Sequence, residues 1–161
     1  MEWFGRRPVL VTLVCIIQLA LVGFAVADRL SARLTGDEYL LRVGLVDPID
    51  PFRGAYVALS YPDLDPPPEA DFTTGDEEVF ILLERSGEFW VAAGTSEGRP
   101  PEGPFIACSG RDWRRSCGIE SWFAPQHEAK ELERAVANGD AVARVRIDSR
   151  GNAALVAIET G

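Results

Sequence analysis

The chain has 161 residues, 47% of them hydrophobic, and carries 16 Lys plus Arg against 25 Asp plus Glu, a net charge of −9. Arg6, Arg7 and Glu2 precede residue 28, so the remainder holds 14 basic and 24 acidic side chains, a balance of −10. That balance argues against nucleic acid and against docking on anionic lipid, both of which need a basic surface.

Pro8 to Ala27 is an uncharged run of twenty residues in which only Thr12 and Gln18 are clearly polar. As a helix it spans about 30 Å, the thickness of a bilayer's hydrocarbon. Residues 1–30 therefore read as a membrane anchor and 31–161 as one exported domain, since what remains is enough for one domain and too little for two. The short tail bearing Arg6 and Arg7 most easily stays cytoplasmic, although Arg29 and Arg33 beyond the run weaken the charge asymmetry. A cleaved signal peptide is the competing reading, because Ala25-Val26-Ala27 forms an A-x-A site. The run exceeds the usual 7–15-residue signal core, which favours the retained anchor. Either way the domain is exported. Basic residues are almost all Arg, with Lys130 the sole lysine, and with abundant Ala, Gly and Val this points to a GC-rich bacterial genome.

Beyond the anchor, Asp28 to Thr35 continues the helix or forms a stalk. Glu38 to Val46 has the composition of a strand. Asp47 to Gly54 holds two Asp-Pro steps and reads as a turn, and Ala55 to Tyr61 as an alternating strand. Pro62 to Phe72, with three consecutive prolines, is a loop. Glu77 to Arg85 and Glu88 to Gly94, joined at Ser86-Gly87, form a β-hairpin. A Gly/Pro loop over Thr95 to Gly103 and short extended pieces at Phe105 to Cys108 and Gly118 to Phe123 follow. Pro125 opens an amphipathic helix with Ala129, Leu132, Ala135 and Val136 on one face and Asn138-Gly139 as its stop. Ala141 to Ile147 and Ala153 to Ile158 are the last strands, about a turn at Asp148 to Gly151. The expected fold is mainly β (α+β): an N-terminal transmembrane helix, then a compact mixed β-sheet or partly open barrel with one amphipathic helix.

Cys108 and Cys117 bracket a turn-rich loop, and the spacing admits either a disulfide or two half-buried thiols. Cys15 lies in the anchor without a lipobox and reads as a small apolar residue. Two cysteines and the lone, distant His127 make no metal ligand set, and no phosphate loop or dinucleotide fingerprint is present, so no cofactor is expected.

Asp47-Pro-Ile-Asp50-Pro-Phe-Arg53-Gly54-Ala55-Tyr56-Val-Ala-Leu59-Ser-Tyr61 resembles the signature of the GDYXXLXY family. Gly54, Tyr56, Leu59 and Tyr61 match, and Ala55 replaces the family's Asp. Gly118-Ile-Glu120-Ser-Trp-Phe-Ala-Pro125 resembles the family's second element, with Gln126 in place of its usual Glu. The resemblance implies a bacterial, membrane-anchored, exported protein and brings no biochemical activity with it. Relatives are often encoded beside multi-pass membrane proteins, which makes such a protein the expected partner.

From the residues alone, Asp47, Asp50 and Arg53 sit in a proline-stiffened turn that an Asp–Arg pair can lock, and a ligand site using the same charges is the less favoured use. Ser60, Ser109 and Ser121 have only Lys130 as a possible catalytic lysine, and it lies on the polar face of an acidic helix, where it stays protonated. His127 lacks a nucleophile elbow to serve. Glu120, beside Ile119, Trp122 and Phe123, is the acid of greatest interest, and pairing with Arg114 or Arg115 is its simplest role. Trp90, Trp113, Trp122, Phe89 and Phe123 fit a core better than a carbohydrate platform. Arg111, Asp112, Trp113, Arg114 and Arg115 form the one basic, aromatic patch and the expected interaction loop. The expected function is that of a non-enzymatic accessory or interaction subunit of an envelope membrane complex, anchored in the inner membrane. An envelope hydrolase built on Asp47, Asp50, Arg53 and Glu120 is the alternative.

Overall fold

A computed structural model of the chain describes residues 3–45, 56–65, 78–110 and 116–160. Helix α1 (Trp3–Thr35) leads into strands β1 (Asp37–Arg42), β2 (Gly44–Leu45), β3 (Tyr56–Ser60), β4 (Val79–Ser86), β5 (Phe89–Ser96), β6 (Phe105–Cys108) and β7 (Ser121–Phe123). Helix α2 (Gln126–Asn138) and strands β8 (Ala141–Ile147) and β9 (Ala153–Thr160) complete the chain. The strands form three sheets of three, ordered β1-β8-β9, β2-β3-β7 and β5-β4-β6. An apolar N-terminal helix followed by a mainly β domain with one more helix is the architecture the sequence predicts. The described strands pair antiparallel throughout and do not close into a barrel.

Two predicted elements change on folding. The strand expected over 38–46 divides at buried Val43: β1 pairs with β8, and β2 turns to pair with β3. The β4–β5 hairpin turns at Gly87-Glu88, one residue later than expected, with Ser86 paired to Phe89.

All three sheets contribute to one core. Leu41, Val57, Leu59, Ile81, Ile106, Cys108, Ile119 and Val145 are its most deeply buried side chains, and Leu132 and Val136 of α2 cover it. β8 alternates strictly, burying Ala141, Ala143, Val145 and Ile147. Burying a side chain such as Ile106 contributes roughly 1.5–3 kcal/mol. Tyr39 and Trp90 meet edge to face at 5.0 Å, joining β1 to β5 inside the fold. At the opposite seam, the Ala107 N–H donates to the Gly151 carbonyl at 2.9 Å, joining β6 to the β8–β9 turn. Gly151 has φ +87°, and a Cβ there would fall 2.7 Å from the Phe105 ring and 2.9 Å from the Ala107 nitrogen. Only glycine fits both the backbone angle and the contact.

Helix α1 is apolar enough to cross a membrane, and its side chains from Val9 to Leu30 are exposed. Its last two turns belong to the domain. Ala32 is fully buried, and a Cβ on Gly36 would collide with the Ala32 carbonyl and the Ile147 backbone. The decisive contact is Asp148, a carboxylate whose side chain is 3% exposed. It accepts from Ser31 Oγ at 2.7 Å, Asn152 Nδ2 at 3.0 Å, and the backbone N–H groups of Arg150 and Asn152 at 2.8 and 3.1 Å. Arg150 reaches Asp148 at 3.4 Å and Asp28 at 3.2 Å, and Arg146 donates to the Arg33 carbonyl at 2.6 Å. Burial pushes the Asp148 carboxyl up, but the donors of Asn152, Ser31 and the turn backbone outweigh it and hold the group below the usual carboxylate range.

A carboxyl whose folded pKa is depressed contributes stability above its unfolded pKa, about 4, and loses it as pH falls through the lower folded value. The helix–domain junction is therefore expected to resist proteolysis undiminished from pH 8 to about pH 5 and to weaken only below about pH 4. Asp148→Ala, which strands several buried donors, is expected to lower stability by roughly 3 kcal/mol at neutral pH, measured by denaturant unfolding in detergent. Gly151→Ala is expected to cost more than about 1 kcal/mol in the same assay.

Candidate functional site where the two motifs meet

Strands β3 and β7 bring the two sequence motifs side by side. Tyr56 pairs with Phe123, Val57 with Trp122 and Ala58 with Ser121. The ladder continues past the end of β7, where the Leu59 N–H donates to the Glu120 carbonyl at 2.9 Å. Alternation along β3 turns Val57, Leu59 and Tyr61 inward, and all three are buried. Tyr61 closes the junction: its hydroxyl donates to the Ile119 carbonyl at 2.8 Å. Burial, reinforced by the nearby Glu120 charge, pushes the Tyr61 phenol far above its ordinary range, so it remains a neutral donor. The spacing of Leu59 and Tyr61 thus has a plain physical use, one side chain for the core and one to satisfy a buried carbonyl.

Glu120 turns its carboxylate back over the segment that precedes it. Its oxygens accept from the Gly118 N–H at 3.0 and 3.2 Å, from Ser116 Oγ at 3.3 Å, and from the Cys117 N–H. Two successive backbone N–H groups aimed at one anion form a nest, and here the anion is supplied by the chain itself. These are the partners of Glu120 among the described residues; Arg114 and Arg115, its expected partners, lie outside them. The nest is held by a covalent staple. Cys108 and Cys117 are disulfide-bonded with Cα atoms 4.2 Å apart, and next to them Ser109 and Ser116 exchange backbone hydrogen bonds of 2.9 and 2.7 Å. The disulfide therefore crosses a non-hydrogen-bonded pair of an antiparallel hairpin, where the two chains approach most closely.

Of the other positions singled out in the sequence, Asp47, Asp50, Arg53 and Gly54 lie outside the described residues, as do Arg111, Asp112, Trp113, Arg114 and Arg115. The side chains of Tyr56, His127 and Lys130 lie outside them too. Trp90 and Trp122 pack against the core, whereas Phe123 is 79% exposed on the surface. No group of three His, Cys, Asp or Glu side chains able to hold a metal ion occurs among the described residues. The sequence reading missed Asp148. Asp148 and Gly151 mark a turn, but nothing local shows that the carboxylate also receives Ser31, 117 positions earlier.

Tyr61→Phe is expected to cost about 1–3 kcal/mol, because it leaves the Ile119 carbonyl buried without a donor; thermal unfolding with the disulfide intact measures this. Glu120→Ala opens the nest, and hydrogen exchange at the Cys117 and Gly118 amides is expected to rise at least tenfold while the β8–β9 amides stay protected.

The model of the GDYXXLXY protein family matches residues 18–158, nearly the whole chain. No curated protein and no solved structure matches it. A motif pair that meets in one antiparallel ladder, behind an N-terminal apolar helix and across a match of this extent, identifies the chain as a member of the GDYXXLXY family.

Proposed function

We propose that this protein is an accessory or interaction subunit of a bacterial envelope membrane complex. In this reading its β domain stands on the periplasmic or extracellular side of the inner membrane and its partner is a multi-pass membrane protein. The observation that carries the reading is the junction between helix and domain. A helix uncharged from Pro8 to Ala27, with side chains exposed from Val9 to Leu30, passes without a break into a last turn in which Ala32 is buried and Ser31 is held by Asp148. A freely diffusing catalytic domain needs only a slack tether, whereas a subunit that must meet a membrane partner benefits from a fixed stance on the bilayer. Arg6 and Arg7 before the apolar run favour a cytoplasmic N-terminus.

Glu120 supports binding over hydrolysis. It is the acid whose apolar surroundings most suggest chemistry, and its oxygens are engaged by backbone donors of its own chain. Phe123, 79% exposed on β7, marks a surface position accessible to a partner.

A photo-crosslinking amino acid at position 123, activated in native membranes, is expected to capture a multi-pass membrane protein that also co-purifies with the unmodified chain. Recovery of this chain alone, under conditions that preserve other membrane complexes, overturns the subunit reading and makes a substrate screen the next experiment.

A further inference from the structure

We infer that the β8–β9 turn and the β5–β6 loop rest on the lipid headgroup layer, with the guanidinium groups of Arg29 and Arg99 binding lipid phosphates. The inference rests on the reading of α1 as membrane-spanning. It follows from how far back along the helix the domain reaches. The uncharged run ends at Ala27, and the headgroup layer occupies about 5–8 Å beyond the hydrocarbon. At 1.5 Å per residue, Asp28 lies at the inner boundary of that layer and Ser31 about 4.5 Å further out. The β8–β9 turn is bound at both heights, through Arg150 to Asp28 at 3.2 Å and Asp148 to Ser31 at 2.7 Å. Ser149 and Arg150, both exposed, are therefore carried into the headgroup layer.

A second segment reaches the same level. Arg99, in the loop after β5, donates to the Ser149 carbonyl at 2.8 Å and lies 6.0 Å from the Phe105 ring. Arg99 and Arg29 are exposed, and neither has an acidic partner within 4.0 Å among the described residues. Arg150 is already balanced by Asp28 and Asp148, while Glu97 and Glu102 share the loop with Arg99. The face is thus no strong cationic patch on a chain of net charge −9, and charge alone would not bring it to a membrane. The anchor brings it there. Once it is held at this height, the planar guanidinium forks meet phosphate, their best-matched anion, and zwitterionic lipid supplies enough of it.

The test uses the full chain in phosphatidylcholine nanodiscs carrying either headgroup or acyl-chain spin labels. The native thiol of Cys15, labelled with a fluorophore, reports the anchor itself. Ser149→Cys and Asp140→Cys, each in a Cys15→Ala background, report the turn and the far end of β8, which begins seven residues before the turn. The expected result is acyl-chain quenching at position 15 and headgroup quenching at 149 several-fold stronger than at 140. Because the anchor sets the height, quenching at 149 is expected to persist when Arg29→Gln and Arg99→Gln are added, whereas solid-state NMR carbon–phosphorus dephasing of guanidinium-labelled arginines by lipid phosphate is expected to fall at least twofold. Quenching at 15 with equal signals at 149 and 140 overturns the proposal and leaves the anchor standing. No quenching at 15 overturns the anchor reading, and the proposal with it. Unchanged carbon–phosphorus dephasing in the double Gln variant overturns the phosphate-binding role of the two arginines.

Discussion

One buried carboxylate decides how this molecule is put together. Asp148 sits where the β8–β9 turn meets the end of α1, and it collects donors from the helix, from the turn backbone and from Asn152. An ionised group in that position is tolerable only when its oxygens are satisfied, so the turn and the helix must be in place together. Gly36 and Gly151 lie at either end of the same region, each where a larger residue would hold the chains apart. The sheet β1-β8-β9 is thereby locked to the helix, and β6 is locked to that sheet through the Gly151 carbonyl.

The opposite region of the domain is organised by a different device. The short sheet β2-β3-β7 has few ladder hydrogen bonds of its own, and a two-residue and a three-residue strand would not persist on pairing alone. It is supported by Tyr61 on the Ile119 carbonyl, by Glu120 over its nest and by the Cys108–Cys117 bond, which ties β6 to the segment before β7. These contacts all come from residues in or next to the two motifs. The motifs are read most directly as the means of stabilising a sheet that is otherwise too small.

What was legible in the sequence was whatever depends on periodicity or on local backbone chemistry. The apolar helix, the β4–β5 hairpin, the α2 helix with its glycine stop and the alternating β8 all follow from patterns within about twenty residues of contiguous chain. The division of the 38–46 strand was not legible, because it depends on which partners β1 and β2 find, β8 about a hundred residues away and β3 nearby. Glu120 stood out in sequence for its apolar neighbours, yet its role is fixed by the turn that the disulfide holds beneath it. Asp148 gave no signal beyond an ordinary turn, since the donor that ties it to the helix is a serine 117 positions earlier.

The unbroken passage of α1 into the domain also has a geometric meaning. A helix advances about 100° per residue, so a domain fixed to it inherits an azimuth as well as a height. Whichever stripe of the helix a neighbouring membrane helix packs against, the same compass bearing of the β domain is presented to that neighbour outside the bilayer. The number of residues between an intramembrane contact and Ser31 therefore sets which way the domain faces. Adding one residue within the span would swing the domain about a quarter turn or slightly more, without altering a single contact inside it.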